Sequence, residues 1–152
     1  LARALADEPI PLTVVDLDAV ISPLVLAQEV RGRTLSWAPS GHRVLARSDA
    51  LAEALDMLIN NAADHAGGRD TALTCHAVGH TVEITVSDHG PGIDPALGSQ
   101  LFAWGSHGSS SAGHGIGLHR ARRLILEQGG TLELVTSDTA GTTFVIRLPR
   151  VA

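Results

Sequence analysis

The clearest periodicity begins at Leu51. Leu51, Ala54, Leu55, Leu58, Ile59 and Ala62 follow i, i+3, i+4, i+7 spacing and form one apolar stripe, which predicts an amphipathic helix over about Ser48–Ala66. Ser48 is placed to cap it, Asp49 and Glu53 suit the positive end of its dipole, and Gly67-Gly68 ends it. The period then changes to two. Thr71–Val78 and Thr81–Asp88 read as strands joined by a tight Gly79-His80 turn. In the second, Val82, Ile84 and Val86 alternate with Glu83, Thr85 and Ser87, giving one dry and one wet face. A second helical stripe of Leu118, Ala121, Leu124, Ile125 and Gln128 predicts a helix over about Ile116–Gln128, closed by Gly129-Gly130. Thr131–Ser137 and Thr142–Leu148 read as the last two strands.

Upstream the pattern is weaker. Leu12–Leu17 suits a strand, and Asp18 is placed to cap a helix running to about Val30, with Pro23 near its first turn. Thr34–Trp37 and Arg43–Ala46 suggest short strands around a Pro39-Ser40-Gly41 turn. Helices beside a mainly antiparallel set of strands, with little βαβ alternation, predict a two-layer α/β sandwich. The stretch from His89 to about Gly115 is dense in Gly, Ser and Pro. Connections that long inside a compact domain usually carry function.

Composition narrows the classes. With 152 residues, 44% of them hydrophobic, the chain suits one domain with a real core, built from Leu, Ile, Val and Ala because aromatics are scarce. All 11 basic residues are arginine, and the net charge of -5 argues against nucleic acid or an anionic membrane as partner. A polyphosphate remains compatible where backbone N–H groups and a metal ion supply the local positive field. Cys75 is the single cysteine, so no internal disulfide forms and a reducing, cytoplasmic compartment is expected. The apolar stretch Ala19–Ala27 is too short to cross a bilayer, and no signal peptide is visible. Starting at Leu1 rather than methionine, the sequence reads as a piece of a longer protein, one whose other parts are free to be anchored in the inner membrane.

Four short motifs carry the chemistry. Asn60-Asn61-Ala62-Ala63-Asp64-His65 lies near the end of the first amphipathic helix, and Asp88-His89-Gly90-Pro91-Gly92-Ile93 at the end of a strand. Gly113-His114-Gly115-Ile116-Gly117-Leu118 leads into a helix, and Gly141-Thr142-Thr143-Phe144 opens the last strand. A carboxylate leaving a strand, followed by spaced glycines, lets backbone approach a flat ligand closely. Glycines entering a helix N-terminus present free N–H groups to phosphate. An asparagine carbonyl is a hard, neutral ligand suited to Mg²⁺.

Each motif has a plainer reading when taken alone. Asn61 is then a surface amide, Asp88 a turn former, and Gly113–Gly117 a dinucleotide fingerprint, although a serine run rather than a hydrophobic strand precedes it. His76 with His80, or His114 with His119, suggests a metal pair, but histidines at such spacing are commonly surface or hairpin residues. Cys75 is expected to pack inside the sheet as a small apolar residue.

The order of the four motifs resembles the N, G1, F and G2 boxes of the GHKL ATPases, and specifically histidine-kinase catalytic domains, over roughly Leu51 to Pro149. The resemblance implies a Bergerat-type sandwich, with helices on one face of a mixed, mainly antiparallel sheet, that binds ATP and Mg²⁺. It implies Asn61 as the Mg²⁺ ligand and Asp88 as acceptor of the adenine amino group, supported through water by Thr142 or Thr143. Gly90, Gly92 and Ile93 would wall the base, while Leu101 and Phe102 would anchor one end of a lid over about Gly105–Ala112. Gly113, His114, Gly115, Ile116, Gly117 and Leu118 would line the triphosphate, with His65 and His107 beside the nucleotide.

Three positions depart from the family pattern. Met57 stands where Asn or Glu usually activates the acceptor histidine, leaving Asp56 as the nearest candidate. Asp64 replaces a common basic residue, and no arginine lies between Arg69 and Arg120. None of the eight histidines precedes Asp or Glu as a phospho-acceptor commonly does. The resemblance therefore implies one ATP-binding domain, with about residues 1–20 as linker from a separate dimerisation and phospho-acceptor domain and a response regulator downstream. The chain alone would bind ATP without phosphorylating itself. A degenerate nucleotide-binding module and an anti-sigma-type serine kinase are the alternatives.

Overall fold

The computed structural model describes residues 11–66, 71–88, 114–138 and 141–152. Its elements are β1 (Thr13–Asp16), α1 (Leu17–Val30), β2 (Leu35–Ser36), β3 (Arg43–Ala46), α2 (Ser48–Ala66), β4 (Thr71–Val78), β5 (Thr81–Asp88), α3 (His114–Glu127), β6 (Thr131–Asp138) and β7 (Gly141–Val151). The strands form one seven-stranded sheet in the order β1-β3-β7-β5-β4-β2, with β6 also paired to β7. β7 is long enough that one of its edges serves two partners. β6 takes Gly141–Arg147 and β3 takes Arg150 and Val151. Every pairing is antiparallel except β2 with β4. Among the described residues, three helices cover one face, giving the predicted two-layer sandwich.

Alternation decides which face is dry. Val82, Ile84 and Val86 of β5 and Phe144, Ile146 and Leu148 of β7 are buried under the helices, and the predicted α2 stripe is buried against them. The opposite face is half exposed and carries ion pairs, in which Arg147 joins Glu83 at 2.7 Å and Glu133 at 2.9 Å across three strands. Among the described residues, no helix is long and apolar enough to cross a membrane.

Several local expectations change. α1 is capped by Asp16, whose carboxylate accepts the Asp18 N–H at 3.0 Å. The Asp18 carboxylate turns outward instead, accepting the N–H groups of Ser40 and Gly41, each at 2.9 Å. Pro23 falls in the second turn of α1, because the helix begins directly at Leu17. β2 and β3 do not form a hairpin. The stretch between them, tied to α1 through Asp18, delivers them to different parts of the sheet. Ser48 is the first residue of α2 rather than its cap, since the Arg47 carbonyl already accepts from Leu51 at 2.9 Å. Val15 and Leu17 are buried in the core.

α3 ends in a Schellman motif. Gly129 adopts φ +84°, and Gly130 N–H reaches back to the Ile125 carbonyl at 3.0 Å. Gly130 is also a close approach, because an added Cβ would sit 2.6 Å from Leu148 Cδ2 and 2.8 Å from the Arg147 carbonyl oxygen.

Candidate functional site

Register builds the site. Asp88, the last residue of β5, is paired with Thr71 on β4 and with Thr142 on β7. Residues opposite one another across a sheet share a face, so Thr71, Asp88 and Thr142 form one polar row on the helix-covered side. All three continue the buried alternation, at positions where the rest of that face is apolar: Leu73 and Cys75 on β4, Val82, Ile84 and Val86 on β5, and Phe144, Ile146 and Leu148 on β7. Thr143 is opposite Ser87 and so belongs to the other face. Of the two threonines considered, Thr142 is the one that stands with Asp88.

The helices bring two more features to this end of the sheet. The Arg47 N–H donates to Gln128 Oε1 at 3.0 Å, and Arg120 bridges Glu53 at 2.7 Å, so α2 and α3 run antiparallel. Counting along both helices from these ties puts His114, the first residue of α3, level with Ile59–Asn61. The chain from Ala66 at the end of α2 to Thr71 can span no more than about 18 Å, which keeps the last turns of α2 near the Thr71–Asp88–Thr142 row. Asn61 lies in those turns.

Four polar residues are therefore gathered where an ordinary core would be apolar: Asn61, Thr71, Asp88 and Thr142 are each 6% exposed or less. Asn61 Oδ1, Thr71 Oγ1 and Thr142 Oγ1 find no hydrogen-bond partner among the described residues. An unmet buried oxygen costs roughly 1–3 kcal/mol, so three of them beside one buried carboxylate mark a place built to receive polar groups from outside. A neutral amide oxygen without a protein donor fits a hard cation such as Mg²⁺.

α3 starts at His114, two residues earlier than expected, so Gly115, Ile116 and Gly117 lie in its first turn. The first N–H groups of a helix have no intrahelical acceptor, and the dipole adds partial positive charge there. Leu118 is buried in the core. The His65 backbone lies in α2. Asp56 is half-buried, and Met57 packs against the core. Gly90, Gly92, Ile93, Leu101, Phe102, His107 and Gly113 lie outside the described residues.

Thr71 was not among the sequence candidates. Its signal was its position opposite Asp88 at the start of a strand, which becomes visible only once the hairpin register is fixed. The face of α2 turned towards α1 was missed as well. Asn60 Oδ1 accepts from Gln28 Nε2 and from an Arg31 guanidinium nitrogen, each at 2.8 Å, and Asp64 bridges Arg33 at 2.8 Å. Cys75 is half-buried against the core, and desolvation, partly offset by a hydrogen bond with Ser40, pushes its thiol up to about 11. It stays a neutral packing residue at physiological pH.

The profile of the histidine kinase-, DNA gyrase B- and HSP90-like ATPase family matches residues 46–152. The chain belongs to this family. Among curated relatives, the ATPase domain is 27% identical to the sensor-like histidine kinase SenX3 of Mycolicibacterium smegmatis, over 98% of this chain and 42% of that protein. It is 33% identical to the sensor histidine kinase CusS of Escherichia coli O6:H1, over 80% of this chain and 26% of that protein. It thus spans less than half of either kinase. Its fold matches full-length ShkA, solved with AMPPNP, at TM-score 0.80 and 23% identity over 99% of this chain and 34% of that one. It matches the mycobacterial sensor histidine kinase MprB at TM-score 0.77 and 24% identity, over 91% and 98% of the two chains. The GHKL resemblance and the sandwich architecture are thereby settled, and both curated relatives are sensor histidine kinases.

Proposed function

We propose that the domain binds Mg-ATP between α2, α3 and the Asp88 end of the sheet, and presents the γ-phosphate to a histidine on a separate dimerisation domain. The observation that carries this is the buried row Thr71–Asp88–Thr142, with the unmet hydroxyls of Thr71 and Thr142, at the end of the sheet where the last turns of α2 carry the unmet carbonyl of Asn61. In this reading the Asp88 carboxylate accepts a hydrogen bond from the adenine amino group, and the Thr142 hydroxyl holds the water that completes base recognition. Asn61 Oδ1 ligates the Mg²⁺, which neutralises phosphate charge when bound. The free N–H groups of the first turn of α3 hold the phosphate chain in place. The protein's contribution is mainly positioning and electrostatics, as expected for phosphoryl transfer.

The segment entering β1 links the domain to its phospho-acceptor partner. A response regulator receives the phosphoryl group, and the site faces the cytoplasm. A second reading, nucleotide binding without transfer, is favoured by one observation. Met57 packs into the core where a polar group would assist the acceptor, leaving half-buried Asp56 beside it.

Calorimetric titration with ATP, with and without Mg²⁺, tests the first step. Asp88→Ala is expected to weaken binding at least 100-fold, about 2.7 kcal/mol, in samples that thermal melting shows to be folded. Equal affinity in the wild type and the variant would end the adenine assignment. Phosphotransfer to a separately supplied cognate dimerisation domain distinguishes the kinase from the module that only binds.

A further inference from the structure

The last two turns of α2 carry the proposed metal ligand on one side and a set of contacts with α1 on another. Asn60 and Asp64, one turn apart, face α1 and straddle Asn61 in sequence. All three donors come from one place: Gln28 and Arg31 at the C-terminal end of α1, and Arg33 just beyond it. A Schellman-type turn holds them there. Gly32 adopts φ +76°, and the Arg33 N–H returns to the Gln28 carbonyl at 2.9 Å. Gln28 is fully buried, and its own Oε1 has no partner among the described residues. An apolar side chain of that size would cost less at such a position. The arrangement leaves a stranded carbonyl while the Nε2 of the same amide donates to Asn60 Oδ1.

Resting on the reading of Asn61 as the magnesium ligand, we propose that Asn60 is a positioning residue. Clamped by Gln28 and Arg31, it fixes the roll of the last turns of α2 and keeps the Asn61 carbonyl aimed into the site. The affinity for metal-bound nucleotide then depends on how α1 is seated. Because α1 follows β1 directly, the stretch entering the domain and the metal ligand are joined by one short chain of contacts.

The test is the ratio of ATP affinities with Mg²⁺ and with EDTA, measured on this chain for the wild type, Asn60→Leu, Gln28→Met and Asn60→Asp. Outer-shell partners of metal ligands typically change metal affinity about 10–100-fold. Asn60→Leu and Gln28→Met are expected to lose about tenfold of the Mg²⁺ enhancement while keeping the metal-free affinity. Asn60→Asp retains an acceptor for both donors and restores the enhancement. Thermal melting of each variant separates a loss of folding from a loss of aim, and Gln28→Met with Asn60→Asp carries the test if Asn60→Leu does not fold. A wild-type enhancement that persists in Gln28→Met, or is absent from Asn60→Asp, overturns the positioning role alone. A wild type that binds ATP without any Mg²⁺ enhancement overturns the Asn61 assignment beneath it.

Discussion

The two ends of the sheet are built on opposite principles. At the end where α3 meets β6, polar groups are matched. Gln128 spends both halves of its amide, donating to the Leu124 carbonyl at 3.0 Å and accepting from the Arg47 N–H at 3.0 Å. There too Thr81 Oγ1 donates to the Val78 carbonyl at 2.9 Å, and the Arg150 N–H closes onto the His80 carbonyl at 2.8 Å. At the Asp88 end, oxygens of Asn61, Thr71 and Thr142 are buried and unmet among the described residues. One end holds the fold and the other leaves hydrogen-bonding capacity for a ligand. Three of the five buried side-chain atoms without a partner among the described residues are these oxygens, and such a gathering is a physical signature of a functional site.

The largest expected break comes at the matched end. Gly130→Ala puts a Cβ within 2.8 Å of the Arg147 carbonyl oxygen and 2.9 Å of Ile125 Cγ2, and backbone cannot yield as a flexible side chain does. The loss should be about 2–3 kcal/mol, read as a drop of roughly 5–10 °C in melting temperature. ATP affinity, measured well below the transition, should stay at the wild-type value. A weakened affinity would mean that the two ends are not separable.

How much of this could be read from the chain follows the range of each interaction. The α2 stripe, the Thr71–Val78 and Thr81–Asp88 strands and the Gly79-His80 turn are local patterns, and they appear where periodicity put them; Gly79 has φ +60°. Asp88 and Asn61 stood out because of motif order, and the structure puts both in buried positions at the same end of the sheet. What the sequence did not show depends on pairing between distant segments. Thr71 acquires meaning only opposite Asp88, Thr142 separates from Thr143 only once β7 is registered on β5, and Asn60 matters only with α1 alongside. Capping was misread for a similar reason. Asp16 and Asp18 both suit an N-cap, and the choice turns on Ser40 and Gly41 arriving to occupy the Asp18 carboxylate.

A smaller effect is expected at Gln128. Gln128→Met keeps the length of the side chain but strands the Arg47 N–H at the start of α2 and frees the Leu124 carbonyl. The cost should be about 1–2 kcal/mol, measured by urea unfolding with an unchanged m-value. Since the Arg47–Gln128 tie also fixes α2 against α3, the comparison sharpens if ATP affinity holds while stability falls.

The finest discrimination uses one substitution at both ends. Thr81→Val removes a hydroxyl that donates to a carbonyl, and should cost about 0.5–1 kcal/mol. Thr142→Val removes a hydroxyl that meets no partner among the described residues, so stability should be unchanged or slightly raised. Valine matches threonine in shape, so packing contributes little to either difference. The ATP measurement should run the other way, with Thr81→Val neutral and Thr142→Val several-fold weaker through loss of the water beside Asp88, a cost of about 1 kcal/mol. If Thr142→Val destabilises the fold as Thr81→Val does, its hydroxyl already has a structural partner and the unmatched end is less open than it looks. If it leaves both stability and ATP binding unchanged, base recognition rests on Asp88 without Thr142. Opposite signs at the two positions would tie the unmet oxygens directly to the ligand.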